Sequence, residues 1–234
     1  MTRGGPASYD GVADEYSRAL DPDGVGLDDP VLTELVGDVA GQDVLSLACG
    51  HGQDARLLAR LGARVTAVDV SAEMLRHARR HEEAAPRGIA YVEGDAHQLT
   101  AFADESFDGV LCHMALMDIP DLDAATRSVA RVLGDGGWFV FSIVHPCYGG
   151  HVEAVTDYLL DHRYRKPRPP EWLPEHAYHR PLAIYVEKLM NAGFRIERLD
   201  EVHYSAADAG SVPGLFYARV VRRRRRRRAG SGDR

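Results

Sequence analysis

From residue 29 onward, short apolar runs alternate with stretches of helical periodicity, joined by polar or glycine-bearing turns. A mostly parallel sheet demands this pattern, because each parallel pairing needs a crossover and the crossover is usually a helix laid against a sheet face. Residues 44–47, 65–68, 89–92, 107–112 and 138–144 read as strands, and 194–202 and 215–221 close the chain as two more. The run 138–144 is apolar throughout and is expected near the centre of the sheet. Helices are marked by their ends. Asp29 caps one that has Pro30 in its first turn, carries Leu32, Leu35, Val36 and Val39, and stops before Gly41. Gly62 ends a second, which bears Leu57, Leu58 and Leu61, and Ser71 caps a third with Met74, Leu75 and Ala78. A fourth presents Ala125, Val129, Val132 and Leu133 before the turn 134–137. The last starts at Pro181, places Leu182, Tyr185, Leu189 and Met190 on one face, and ends at Gly193. The fold class is α/β, doubly wound, with helices on both faces of the sheet.

Composition narrows the setting. A chain of 234 residues with 45% hydrophobic content suits one domain with insertions. No apolar run approaches the roughly 20 residues of a membrane span, and the first ten residues are polar, so no membrane partner and a cytoplasmic location are expected. Three widely spaced cysteines without a CxxC pair argue against a disulfide framework and against a thiolate zinc site. Seven positive charges sit in the single run 222–228 while the formal net charge is −7, so the rest of the chain carries −14. An acidic body of that size repels a phosphate backbone and disfavours nucleic acid as a partner. The expected organisation is an N-terminal lid segment at 1–28, a main domain at 29–221, and a disordered, dispensable basic tail at 222–234. Within the main domain, periodicity disappears over about 147–180, where prolines and the aromatics Tyr148, Tyr158, Tyr164, Trp172 and Tyr178 gather. Long connections of this kind are usually lids or binding loops.

The turn 48–52, Ala-Cys-Gly-His-Gly, joins a strand to a helix and would present free amides at the helix N-terminus, although such turns also serve tight packing. A dinucleotide fingerprint would need glycine at position 53, which is Gln53, so nicotinamide cofactors are disfavoured. Asp69 stands at the tip of the second strand, where a carboxylate can accept hydrogen bonds from both hydroxyls of a ribose. At the next strand end Asp95 can accept from an adenine amine, with the Ala96 amide toward a ring nitrogen. Each acid taken singly also fits a helix cap or a solvated turn; the series of three strand ends is more specific.

The strings VLSLACGHG (44–52), VTAVDVSAEML (65–75), YVEGDAHQL (91–99), FDGVLCHMALMDIPD (107–121) and RVLGDGGWFVFSIVHP (131–146) resemble the class I S-adenosylmethionine-dependent methyltransferases, particularly the small bacterial branch of the ubiquinone and menaquinone methyltransferases. The resemblance covers about 8–145 and returns at 180–221. It implies a seven-stranded sheet with an antiparallel last strand, S-adenosylmethionine as cofactor, and S-adenosylhomocysteine as product. It also implies cofactor contacts at Ala48, Cys49, Gly50, Asp69, Val70, Met74, Asp95, Ala96 and Cys112, with Tyr16 as the lid tyrosine closing over them. Two positions depart from the family pattern: Ser46 replaces an acid and Ala48 a glycine. Ala48 is tolerable on the expectation that its φ is negative, and backbone carbonyls near Ala48 and Cys112 are left to hold the cofactor's ammonium.

Methyl transfer to an O or N atom of a small aromatic or apolar metabolite is the activity implied. Its main requirement is collinear positioning in a dry site. Where the acceptor must lose a proton, His145 at the end of the fifth strand is the first candidate base and His113 at the end of the fourth is the second; each has an alternative as a hydrogen-bonded structural residue. The eleven histidines form no close pair on a clear helix, so no metal is expected. Three rivals follow from the same strings: an enzyme that keeps S-adenosylmethionine while catalysing a cyclisation or decarboxylation, an RNA methyltransferase, and a binding or regulatory protein that has lost catalysis.

Overall fold

A computed structural model describes residues 9–20, 29–148, 158–166, 170–171, 173–203 and 213–224. Its main sheet contains β1 (Asp43–Leu47), β2 (Arg64–Asp69), β3 (Ala90–Glu93), β4 (Phe107–Cys112), β5 (Leu133–Val144), β8 (Phe194–Val202) and β9 (Leu215–Arg222), in the order β3-β2-β1-β4-β5-β9-β8. The pairs from β3 through β5 are parallel, and β9 runs antiparallel to both β5 and β8. The order reverses direction at β1, which lies between β2 and β4. Ligands of doubly wound sheets bind at the carboxyl ends of the strands flanking such a point. A separate two-stranded sheet, β6 (His162–Arg165) with β7 (His176–His179), belongs to the long segment after β5.

Strand alternation divides the core in two. On one face Leu45, Leu47, Val110, Phe139 and Phe141 pack against α5 (Leu122–Val132) and α6 (Leu182–Asn191). On the other, Val44, Val65, Ala67, Leu111 and Val140 pack against α2 (Pro30–Val36), α3 (Gln53–Arg60) and α4 (Ala72–Ala84). Phe139 and Phe141 are wholly buried, each burial being worth about 1.5 to 3 kcal/mol. The capping chemistry is where the sequence places it: Asp29 Oδ1 accepts from Leu32 N, and Ser71 Oγ from Met74 N. Asp121 caps α5 in the same way.

Four details differ from the sequence reading. Helix α2 ends at Val36, because Gly37 at φ 71 already turns the chain, four residues before Gly41. Met190 is exposed: Tyr185 and Leu189 hold the buried face of α6, and one further residue rotates about 100° away from it. The glycines at 134–137 lie inside β5 and pass a register irregularity against Phe107 and Gly109 instead of forming a turn. The fold does not stop at Val221. Arg222 is the last residue of β9 and is buried, donating to the Leu133 carbonyl and, at 3.0 Å, to Glu105 Oε1. The basic tail therefore cannot begin at 222; the rest of it, from 225, lies outside the described residues. No helix among the described residues is long and apolar enough to cross a membrane.

Candidate active site

A cleft of about 710 Å³ opens at the carboxyl ends of β1, β2, β3 and β4. Its floor is the turn after β1. Ala48, Gly50 and Gly52 take φ values of 51°, 54° and 95°, so three of five residues are left-handed. Ala48 is thus on the strained side of the map, contrary to the negative φ expected for it. The reversal from strand into α3 imposes that conformation, and the family's usual glycine would adopt it freely. Left-handed alanine costs roughly 1–2 kcal/mol and glycine's added chain entropy about 0.5–1, so Ala48→Gly is expected to stabilise the protein by up to about 1 kcal/mol in urea unfolding. A loss of stability would mean that the Ala48 methyl, which packs against the core, outweighs the strain.

Asp69 at the tip of β2 organises this floor. Its Oδ2 accepts from Gly50 N and its Oδ1 from Ser71 N, both at 2.8 Å. Burial pushes its carboxyl above the usual range, while the Ser71, Gly50 and Val70 amides pull it back. The carboxylate retains acceptor capacity for a ligand hydroxyl. A methyl on Gly50 would meet nothing within 4 Å, so the turn is open on the cleft side. Gly52, by contrast, lies against the Tyr91 hydroxyl, 2.5 Å from where a Cβ would stand. Ala48, Cys49, Gly50, Asp69, Val70 and Met74 all line the cleft, as do Asp95 and Ala96 at the end of β3. Asp95 Oδ1 is engaged by the His97 amide and ring, each at 2.8 Å.

The N-terminal segment closes one side. Tyr9 and Tyr16 line the cleft with their rings edge to face, centroids 5.9 Å apart, and Tyr16 meets His51 likewise at 5.2 Å. This segment is held by two acids. Asp10 accepts from Ser71 Oγ at 2.5 Å, and Asp14 on α1 (Ala13–Ala19) pairs with Arg76 and His77 of α4 at 2.8 and 2.7 Å. The acids at 10 and 14, spaced to meet the N-terminal turn of α4 at Ser71 and the basic pair at 76–77 respectively, were the available sequence signal for this docking.

The far end of the cleft is built by the turn after β4 and by the β6–β7 hairpin. His113 lines it, with Nδ1 2.7 Å from Ser142 Oγ, and Met114 beside it is left-handed at φ 53°. Asp118 is buried there. Tyr9 donates to its Oδ2 at 2.8 Å, and Lys166 Nζ lies 3.9 Å from Oδ1. Burial pushes Asp118 up, against the pull of Lys166, Tyr9 and Arg180. Arg180 fastens hairpin to turn by donating to the carbonyls of Leu116, Ile119 and Pro120 at 3.2, 2.7 and 2.9 Å. Of the aromatics in the inserted segment, Tyr164 reaches the cleft. Tyr158 instead receives the Leu182 amide at the start of α6, Tyr178 lies under Arg180, and Trp172 is outside the described residues.

Two residues singled out from the sequence are not brought to the cleft. His145 is buried, with Nε2 3.0 Å from Glu201 and Nδ1 accepting from Cys147 N; its neighbour Val144 lines the cleft, and alternation turns His145 the other way. Cys112 is wholly enclosed in the core, where burial pushes its thiol up, and His113 takes the cleft position. Asp54, Asp118 and Lys166 are cleft residues that sequence reasoning missed. Among the described residues no three His, Cys, Asp or Glu side chains gather as a metal site.

Comparison with known proteins agrees with this geometry. Residues 45–141 match a family model described as a methyltransferase domain. The ubiquinone biosynthesis O-methyltransferase of Albidiferax ferrireducens is 37% identical over 137 residues, 55% of this chain and 54% of that protein, so the chain spans about half the length of that relative. Its counterpart in Xanthomonas euvesicatoria is 35% identical over 185 residues, 75% of this chain and 73% of that one. A crystal structure of an S-adenosylmethionine-dependent methyltransferase from Mesorhizobium loti superposes with a TM-score of 0.66 at 26% identity, covering 86% of this chain and all of that one. A relationship sustained over about three quarters of both sequences, on a sheet and cleft of this design, places the chain in the class I S-adenosylmethionine-dependent methyltransferase family, in the branch of the ubiquinone and menaquinone methyltransferases.

Proposed function

We propose that the protein binds S-adenosylmethionine in the β1–β3 half of the cleft and methylates a hydroxyl oxygen of a small, aromatic or apolar molecule held in the other half, in the cytoplasm. The observation that carries this reading is Asp69, fixed through Gly50 and Ser71 at the tip of β2 beside an open glycine turn. The residues present suit the cofactor. Asp69 can accept from both ribose hydroxyls; Asp95 and the Ala96 amide suit the edge of an adenine; and the backbone at 48–50 suits the amino-acid portion. Asp54, in the first turn of α3, offers a carboxylate to the cofactor's ammonium, a role the family gives to the position that is Ser46 here. Burial pushes Asp54 up, and a bound cation would draw it back. A cleft of 710 Å³ falls within the usual 300–1,000 Å³ range and leaves room for a second small molecule.

When bound, the cofactor supplies an electrophilic methyl group on a sulfonium. The protein's task is then to align the acceptor, keep water out and receive a proton. Tyr9 and Tyr16 cover the cleft, and His113, oriented by Ser142, is the histidine placed to hold an acceptor's proton. Isothermal titration tests the reading: one-to-one binding of both S-adenosylmethionine and S-adenosylhomocysteine is expected, and absence of binding to either would overturn it.

A further inference from the structure

We infer that Lys166 is a specificity-determining residue of the acceptor half of the cleft, holding the acceptor's hydroxyl oxygen in its ionised form. This rests on the methyltransferase reading and says which acceptor fits it. The Lys166 side chain is 9% exposed and that of Asp118 is 8%, so both are more than nine-tenths buried, and both line the cleft. At 3.9 Å the two are paired by charge but not hydrogen-bonded. No hydrogen bond to Nζ is recorded among the described residues, and Asp118 Oδ1 likewise lacks a partner. The Lys166 side chain is packed along its length while lining the cleft, so its ammonium is positioned to donate to an oxygen acceptor that enters there.

The surroundings define that oxygen's carrier. Tyr9, Tyr164, Met114, Met117, Leu173 and Ala177 line the same end and present ring and thioether surface suited to a planar, largely apolar frame. A wholly apolar molecule would leave the Lys166 donors unmet. A hydroxyl that ionises on binding, its proton passing to His113 and from there to solvent, leaves a negative oxygen that Lys166 matches. The hairpin delivers this residue: Lys166 follows β6 directly, its amide donates to the Glu175 carbonyl at 2.7 Å, and Arg180 ties the end of β7 to the turn bearing Asp118. The inserted segment, the part of the sequence with least periodic pattern, thus carries the acceptor preference.

The test uses 4-nitrocatechol, whose ionised form is read by its visible absorbance, titrated into the full chain with and without S-adenosylhomocysteine near the pH at which the free dye is half ionised. The wild type is expected to bind it as the anion. Lys166→Met should weaken binding about tenfold or more and abolish the bias toward the ionised form, since a buried charge partner is lost. Asp118→Asn removes the competing negative charge and should hold the anion at least as tightly as the wild type. The inference is overturned if the wild type binds no dye or only the neutral form, if Lys166→Met binds within about twofold of wild type, or if both variants weaken equally, which would make the pair a structural strut. S-adenosylhomocysteine affinity is measured separately and should be unchanged in both variants. Its absence in the wild type would sink the cofactor assignment while leaving the dye result to be judged by itself.

Discussion

Asp69→Ala is expected to bind S-adenosylmethionine and S-adenosylhomocysteine about ten- to a hundredfold more weakly than the wild type, a loss of roughly 1.5 to 3 kcal/mol, because the proposed role of Asp69 is to accept charge-assisted hydrogen bonds from the ribose hydroxyls. The same carboxylate also receives Gly50 N and Ser71 N, so part of any loss could come from a loosened turn. A ligand lacking one ribose hydroxyl separates the two causes. In the wild type the missing hydroxyl should weaken binding; in Asp69→Ala it should cost almost nothing more, the non-additivity expected when two groups touch. Equal penalties in both proteins would show that Asp69 acts only through the turn, and unchanged affinity in Asp69→Ala would remove it from the site altogether. Its elevated carboxyl fits this role: desolvation is the larger influence on it, and hydroxyl donors from a ligand would stabilise the ionised form.

What could be read from the sequence, and what could not, divides along physical lines. Strand and helix positions were legible because burial on a sheet face leaves short apolar runs, and because Asp29, Ser71 and Gly62 mark helix ends through local hydrogen bonding and backbone freedom. Asp69 and Asp95 were legible because strand ends in a doubly wound sheet all point to one edge. The φ of Ala48 was not, since a turn's handedness is set by where the strand and helix it joins must lie. His145 and Cys112 misled because a strand end names the neighbourhood but not the side: one residue along, alternation gives the cleft to Val144 and His113 instead. Asp118 and Lys166 left no signal, because neither belongs to a periodic element and their proximity arises only when the hairpin folds over the turn after β4. Arg222 was hidden within a run of identical residues, where composition cannot show the boundary between a strand that buries its arginine and whatever follows.

Gly109→Ala should destabilise the fold by about 2 to 3 kcal/mol, because a central contact in the sheet has no room for a methyl. Gly109 of β4 stands opposite Trp138 of β5, and a Cβ at position 109 would overlap Cε2 and Cζ2 of the indole. The ring cannot swing away freely. Trp138 is 5% exposed, its Nε1 donates to Gln42 Oε1 at 2.9 Å, and the Arg219 guanidinium lies 5.5 Å from its centroid. For a domain of this size the loss corresponds to a melting temperature lower by roughly 4 to 12 °C. Trp138→Leu supplies the control, since it empties the volume the new methyl would invade. In that background Gly109→Ala should cost less than about 1 kcal/mol, a coupling of the size seen between residues in direct contact. If the full penalty persists without the indole, Gly109 is required for a backbone reason, and the register irregularity between Phe107 and Gly109 is where that requirement would lie. Gly109 is not a cleft residue, so a properly folded Gly109→Ala protein should retain wild-type affinity for S-adenosylhomocysteine, separating the residues that hold the sheet together from those that hold a ligand at its edge.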